Sequence, residues 1–311
     1  MDYHQQFRCT AIERGIPEEG IRKFAEFLRF AVHADVRPNS APVGQFGGLP
    51  RLPVGMEWPS SDEGPLPFIA SLDCATLPRV DSFPLPADGS LLFFLHHEWA
   101  YFNGAEQEYA RVVYVPAGTE TTTAEEPDHT GQMFYNSELD FVGPKCKLFA
   151  TVGAELPSWF DEELLDDDEL LEVNGKTQQS GALEHLGWNL THREELCALA
   201  EELYPGDGGA ISLGGHSSDI REVMTDHMYS IPETMMALDI VTARRKAGDL
   251  ADPLDEQDPQ IEKETLRVMR EWVVLAEFSP DDYYIGRFMI RYDDLAAGRF
   301  DRARSFTAFT E

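Results

Sequence analysis

The chain has 311 residues, 42% of them hydrophobic and 11% aromatic, with a formal net charge of −31 at pH 7. That length and apolar content support one large core or two smaller ones. The excess of 56 acids over 25 bases argues against nucleic acid and against an anionic membrane surface, since both need Lys and Arg. It favours solubility and steers basic partners toward the surface, although an acidic proteome accounts for the same charge. Residues Met1–Thr10 are polar and mixed, without the apolar core of a signal peptide. No later run approaches the roughly 20 apolar residues of a membrane span. Cys9, Cys74, Cys146 and Cys197 are widely spaced, so free thiols are expected rather than a disulfide framework or a zinc site. The composition reads as cytoplasmic, with no cofactor or metal.

In chain order, Pro17-Glu18-Glu19 opens a helix, and Ile21, Phe24, Ala25, Leu28, Ala31 and Val32 recur at helical spacing. These predict one packing helix over 13–34. From Arg37 to Pro67, Pro and Gly predict an ordered, winding segment. Strands follow at Phe68–Leu72, Leu91–His96 and Arg111–Val115, then a polar loop from Thr119 to Thr130 and a strand at Lys145–Val152. Glu155–Glu172 carries nine acids and no base, with Leu164, Leu165, Leu170 and Leu171 on one face of a predicted helix. Thr191-His192-Arg193-Glu194 reads as a capping box for a helix through Leu196, Leu199 and Leu203. Helical patterns cover Asp219–Met228, Pro232–Arg245 and Pro259–Arg270, with an acidic interruption at Asp249–Asp258. Strands at Trp272–Phe278 and Ile285–Arg291, a turn at Tyr292–Leu295 and a strand near Ser305–Phe309 end the chain.

One pattern recurs. Gly47-Gly48 leads to the apolar run Phe68–Leu72, and Gly89 enters a second run at Leu91; Gly214-Gly215 leads to Trp272–Phe278, and Gly286 sits within a second run. Strands, then helices, then strands predict an α+β fold of mostly antiparallel sheet. The repeat predicts two related halves within a single domain over 1–311: a first half at about 44–154, and a helical, acidic second half at about 155–311 carrying the insertion.

The residues Phe46-Gly47-Gly48-Leu49-Pro50, Trp58-Pro59, Pro65–Asp73, Asp88–Phe94 and Asp293–Phe300 resemble the YwqG-like family, bacterial proteins built on a domain of unknown function. The resemblance implies a fold and brings no activity. The chain departs from the family pattern at Ser71, where glutamine is usual, at Tyr283-Tyr284-Ile285-Gly286, and at His216–Arg221.

His96-His97-Glu98 is the densest group of potential metal ligands. On a strand, His96 and Glu98 would share one face, but a third ligand would have to come from His185, His192, His216 or His227, so no metal is assigned. His216-Ser217 invites a nucleophile reading, but the spacing is not that of a G-x-S-x-G elbow, and a serine cap for a helix at Asp219 fits better. Trp58 suggests either an aromatic groove or a buried anchor. Gly47, Gly48, Gly89, Gly214 and Gly215 are read as structural, marking close backbone approach. Asp166–Glu169 lacks the geometry of a calcium loop.

The expected function is therefore binding without catalysis, by an immunity-type or regulatory protein whose acidic surface covers a basic protein. The alternative is an enzyme or small-ligand receptor whose site between the halves uses His96, Glu98, His216 and Asp219.

Overall fold

In the computed structural model, the described residues are 2–38, 40–103, 107–129, 140–157, 160, 172–173, 176–177, 190–206, 208–218, 231–250, 259–278 and 284–309. The chain starts with helix α1 (Tyr3–Glu13), whose N-cap Asp2 accepts a 2.9 Å hydrogen bond from the Gln5 amide. Only Phe7 and Ala11 are buried on it, too thin an apolar stripe for periodicity to reveal. Gly15, at φ +80°, turns the chain toward α2 (Glu18–Phe24).

The helix expected over 13–34 ends at Phe24, and Arg29–Asp35 is strand β1. This segment carries two periods at once. Leu28, Ala31 and Val32 continue the helical stripe, while Phe30, Val32 and Ala34 alternate with Arg29, His33 and Asp35 at the strand period. Tertiary pairing decides between them. Cys146–Glu155 hydrogen-bonds β1 on one side and Ile211–Leu213 on the other, satisfying the backbone groups that a helix would satisfy internally.

The other strands are β2 (Gly44–Phe46), β3 (Arg51–Pro53), β4 (Ser60–Ser61), β5 (Gly64–Pro65), β6 (Phe68–Asp73), β7 (Ser90–Leu95), β8 (Ala110–Val115), β9 (Thr121–Thr123), β10 (Cys146–Glu155), β11 (Glu172–Val173), β12 (Lys176–Thr177), β13 (Ile211–Leu213), β14 (Trp272–Phe278), β15 (Tyr284–Arg291) and β16 (Arg304–Phe309). The helices among them are α3 (His97–Asn103), α4 (Arg193–Leu203), α5 (Pro232–Lys246), α6 (Pro259–Glu271) and α7 (Tyr292–Ala296). The fold is α+β. Ten strands make one sheet in the order β16-β15-β14-β13-β1-β10-β2-β6-β7-β8, and every pairing in it is antiparallel. The order reads alike from both ends. A meander β13–β16 flanks β1, a meander β2-β6-β7-β8 flanks β10, and each has a register shift between its second and third strands, at Val274/Ala276 and Phe68/Ala70.

Phe93 of β7 lies 5.5 Å from Phe288 of β15, so the two meanders pack face to face around the main core. Phe7, Phe24, Phe30 and Leu196 extend that core to α1, α2, β1 and α4. Each such fully buried side chain contributes ~1.5–3 kcal/mol. The outer faces are covered differently. Leu52, Leu66 and Trp58 cover Phe68, Leu92 and Phe94 on one side, whereas α5 and α6 cover Val274, Met289 and Phe306 through Met236 and Val268 on the other.

Several local expectations shift. The loop at Thr119–Thr130 contains β9, paired with β3. Helix α4 has His192 as its N-cap, at φ 65°, with Nδ1 against the Glu195 carboxylate, one residue beyond the predicted box. Tyr292–Ala296 is helical rather than a turn. The expected helix at Asp219–Met228 and residues Asp166–Glu169 lie outside the described residues, as do 161–171 of the acidic stretch; Glu155 itself ends β10. Among the described residues no helix is long and apolar enough to cross a membrane.

Gly286 marks where the meanders meet. A Cβ there would stand 2.6 Å from both His97 Nε2 and Leu95 Cδ2, and 2.9 Å from Phe278 Cε2. Gly286→Ala is expected to cost about 1–3 kcal/mol by overpacking, read as a lower urea midpoint at unchanged slope.

Candidate functional site

The polar residues gather on the outer face of the central strands. Register places His33 opposite Ser212, Ser212 opposite Glu277, and Glu277 opposite Arg287, one row across β1, β13, β14 and β15. Cross-strand partners share a face, so these four side chains stand together. Glu155, at the end of β10, joins them: its Oε1 lies 3.3 Å from His33 Nε2.

The loop after β13 closes over this row. Gly214, at φ +85°, ends the strand, and Gly215 sits directly on Glu155, where a Cβ would fall 1.7 Å from Oε2. The His216 amide then donates to Glu155 Oε2 at 2.8 Å, and the His216 imidazole Nε2 lies 2.7 Å from the Phe27 carbonyl. Because that partner only accepts, Nε2 carries the proton. Arg29 donates to the Gly215 carbonyl at 3.0 Å and to the Met269 carbonyl, tying the loop to α6. Ser217 Oγ donates to Glu233 Oε2 of α5 at 2.6 Å, with Glu233 only 1% exposed. The Ser218 amide donates to Glu277 Oε2 at 3.0 Å, and its hydroxyl to Glu277 Oε1. Arg287 completes the ring, its Nε donating to Glu277 Oε2 at 2.9 Å and Nη2 to the Ser218 carbonyl at 2.6 Å.

Burial sets the electrostatics. It pushes the Glu155 carboxyl up to about 7; the His216 amide bond opposes this, nearby Glu277 adds to it, and Arg29 opposes it. Burial and Arg29 hold the His216 imidazole well below its ordinary value, hence neutral. Arg287 is 1% exposed, and a guanidinium so buried requires its carboxylate.

Ser212, His33 and Glu155 have the residue types of a nucleophile, a base and an acid, but not the arrangement. Ser212 Oγ lies 2.8 Å from His33 Nδ1, yet also 3.5 Å from Glu155 Oε1. Ser212 and Glu155 face different ring nitrogens of His33, but a relay needs both contacts in line with the ring, which would hold the serine and the carboxylate well apart. Here the three form a triangle in mid-sheet, an arrangement suited to holding strands and loop in place.

Of the residues singled out in the sequence, His216 lies in this cluster through its amide, and Gly214 and Gly215 shape it; Asp219 lies outside the described residues. His96 and Glu98 are elsewhere. Strand β7 stops at Leu95 and α3 begins at His97, so His96 and Glu98 do not share a strand face. His96 stacks on Trp99 at 3.7 Å, and burial lowers its pKa to about 4. His97 is fully buried, edge-on to Phe278 at 5.6 Å, with its pKa lowered to about 3, mainly by burial. Among the described residues, no group of three or more His, Cys, Asp and Glu is placed to hold a metal ion. Trp58 is half-buried; its indole N–H donates to the Leu66 carbonyl at 2.8 Å, and its ring meets Phe94 edge-on. Gly47 and Gly48, at φ 63° and 67°, lie against the Pro144 carbonyl and the Lys145 side chain, and Gly89 against Val115 and Tyr114.

Sequence reasoning missed His33, Glu155, Ser212, Glu233, Glu277 and Arg287. A signal existed for two of them. Glu277 and Arg287 are opposite charges inside apolar strand runs, placed to face each other in a hairpin. The others come together only through strands far apart in sequence.

Fold and site together define an α+β protein whose ten-stranded antiparallel sheet carries a closed ring of carboxylates, serines and arginines, with Ser217, Glu233 and Arg287 buried in it. The chain belongs to the family of a domain of unknown function, DUF1963, which matches residues 44–307. The match starts at β2, so the central strand β1 precedes it. No curated protein matches the chain.

Two outcomes test the ring. Glu277→Ala leaves Arg287 buried without its carboxylate and is expected to cost about 3–5 kcal/mol in denaturant unfolding. Glu155 supplies a pH test. Its folded pKa of about 7 exceeds the ordinary 4.5, so its contribution is fully present below pH 4.5 and lost as pH rises toward 7. Relative to wild type, Glu155→Gln is expected to lose this decline, worth up to about 3 kcal/mol, in unfolding measured across that range.

Proposed function

We propose that the protein is a non-catalytic binding protein of immunity or regulatory type, whose acidic surface covers a basic protein partner. The observation that carries this reading is the net charge of −31. The arrangement of the sheet's acids supports it: the buried Glu233 and the half-buried Glu155 and Glu277 are engaged by the protein's own amides, serines and Arg287. The exposed acids are then the groups that act on other molecules, steering encounter and adding salt-sensitive attraction. Within its family, the reading takes the chain as a cytoplasmic, bacterial YwqG-like member built by duplication. The symmetric strand order supports duplication, as do the matched rows Gln45–Ser71–Leu92 and Ser212–Glu277–Arg287, each starting two residues before a glycine pair.

The test is affinity capture from the native host with the full chain as bait. Recovery at low ionic strength of a basic protein that raised salt releases is the expected result. Recovery of no basic protein sinks the proposal.

A second reading, a small-ligand or hydrolytic site, is favoured by one observation, the Ser212–His33 contact of 2.8 Å. Labelling of Ser212 by a fluorophosphonate, or a large thermal shift with one metabolite, would move the preference to it.

A further inference from the structure

The outer face of the β6–β8 meander carries a feature that the buried ring does not explain. Between the β3–β4 connection and β9 lies a cleft of about 330 Å³, lined by Leu52, Pro53, Met56 and Trp58 on one side and by Thr122–Glu125 on the other. That volume is at the low end for a binding pocket, suited to one large side chain rather than a cofactor. Its floor is rigid. Leu52 is 3% exposed in the small core with Phe68 and Phe94, and Trp58 is fixed by its bond to the Leu66 carbonyl and by contact with Phe94. Its lip opens to solvent at Met56, 38% exposed, and the neighbouring Val54, outside the lining, is 60% exposed. Exposed large apolar side chains beside a preformed cleft mark an interaction site more strongly than singly scattered ones do.

The surroundings choose the occupant. Residues 51–66 and 116–129 together carry seven acids, Glu57, Asp62, Glu63, Glu120, Glu125, Glu126 and Asp128, against a single arginine. All seven are exposed, and Arg51 is committed to β9, donating to Thr121 Oγ1 at 3.2 Å and to its carbonyl at 2.7 Å. The cleft therefore offers an apolar wall of Leu52, Met56 and Trp58, faced by the more polar Thr122–Glu125, inside a negative rim.

We infer that this cleft is the docking point for a lysine- or arginine-rich protein segment that inserts one large apolar side chain between Met56 and Thr122–Glu125. The inference rests on the proposed binding function and gives it a location. The apolar anchor supplies the desolvated contact that dominates affinity, and the acids supply on-rate and partner choice.

The test uses the full chain and two fluorescein-labelled probes, an oligolysine octapeptide with a central tryptophan and the same peptide with serine in that place, followed by fluorescence anisotropy. Wild type is expected to bind the tryptophan probe at least about tenfold more tightly, a difference of about 1.4 kcal/mol. Met56→Asp, at an exposed position, is expected to abolish that preference while retaining weak, salt-sensitive binding of both probes. Glu57→Lys with Glu125→Lys is expected to weaken both probes at least about fivefold, an electrostatic loss, whereas Glu201→Lys on α4 changes neither. Thermal melts confirm that each variant is folded. Equal affinity of wild type for the two probes overturns the cleft but leaves the acidic-surface reading standing, as does a preference that survives Met56→Asp. Absence of any binding at low salt overturns both.

Discussion

The antiparallel pairing of β1 with β10 is the constraint on which the rest of this structure depends. β1 joins the β13–β16 meander, and β10 joins the β2-β6-β7-β8 meander. Their seven-residue register from Arg29↔Glu155 to Asp35↔Phe149 makes one sheet of the two. A four-stranded meander alone would leave its first strand as an unpaired edge and its apolar face in water. Joined through β1 and β10, the two can fold toward each other, so that Phe93 meets Phe288 and Gly286 admits His97.

The same pairing creates the buried ring. β1 brings Arg29 and His33, β10 brings Glu155, and β13–β15 bring Ser212, Glu277 and Arg287 to one face. Charges at such depth are tolerated only when each is answered, and each loop group from Gly215 to Ser218 answers one. The glycines follow from this. A side chain at position 215 would occupy the place of the Glu155 carboxylate, so the loop can meet the acid only through bare backbone. The serines and the histidine that look reactive in sequence are fasteners in space.

The two outer faces of the sheet differ in how closely they are covered. Over β14–β16, α5 and α6 lay Met236 and Val268 into the sheet. Over β6–β8, the cover is the Pro- and Gly-rich segment with β3 and β9, which cannot interdigitate as helices do and leaves a cleft beside Trp58. Trp58 serves both as the anchor of that irregular segment and as a wall of the cleft, so the anchor and groove readings describe the same ring.

By itself the sequence determined the strands with clear period or apolar runs, β6, β7, β8, β14 and β15, together with the antiparallel α+β class, because those signals are local and repeat within a few residues. It also carried the glycine pairs and Trp58, whose meaning is backbone freedom and bulk. Only the tertiary structure decided that Arg29–Asp35 is a central strand, since that segment satisfies both helical and strand periods and long-range pairing alone chooses between them. It likewise took His96 and Glu98 off a common strand face by ending β7 at Leu95. Glu155 could be recognised as the acid beneath Gly215 only after the chain had brought positions 33, 155, 212 and 277 side by side. No spacing in a linear sequence encodes that contact, because it exists only once the sheet has closed.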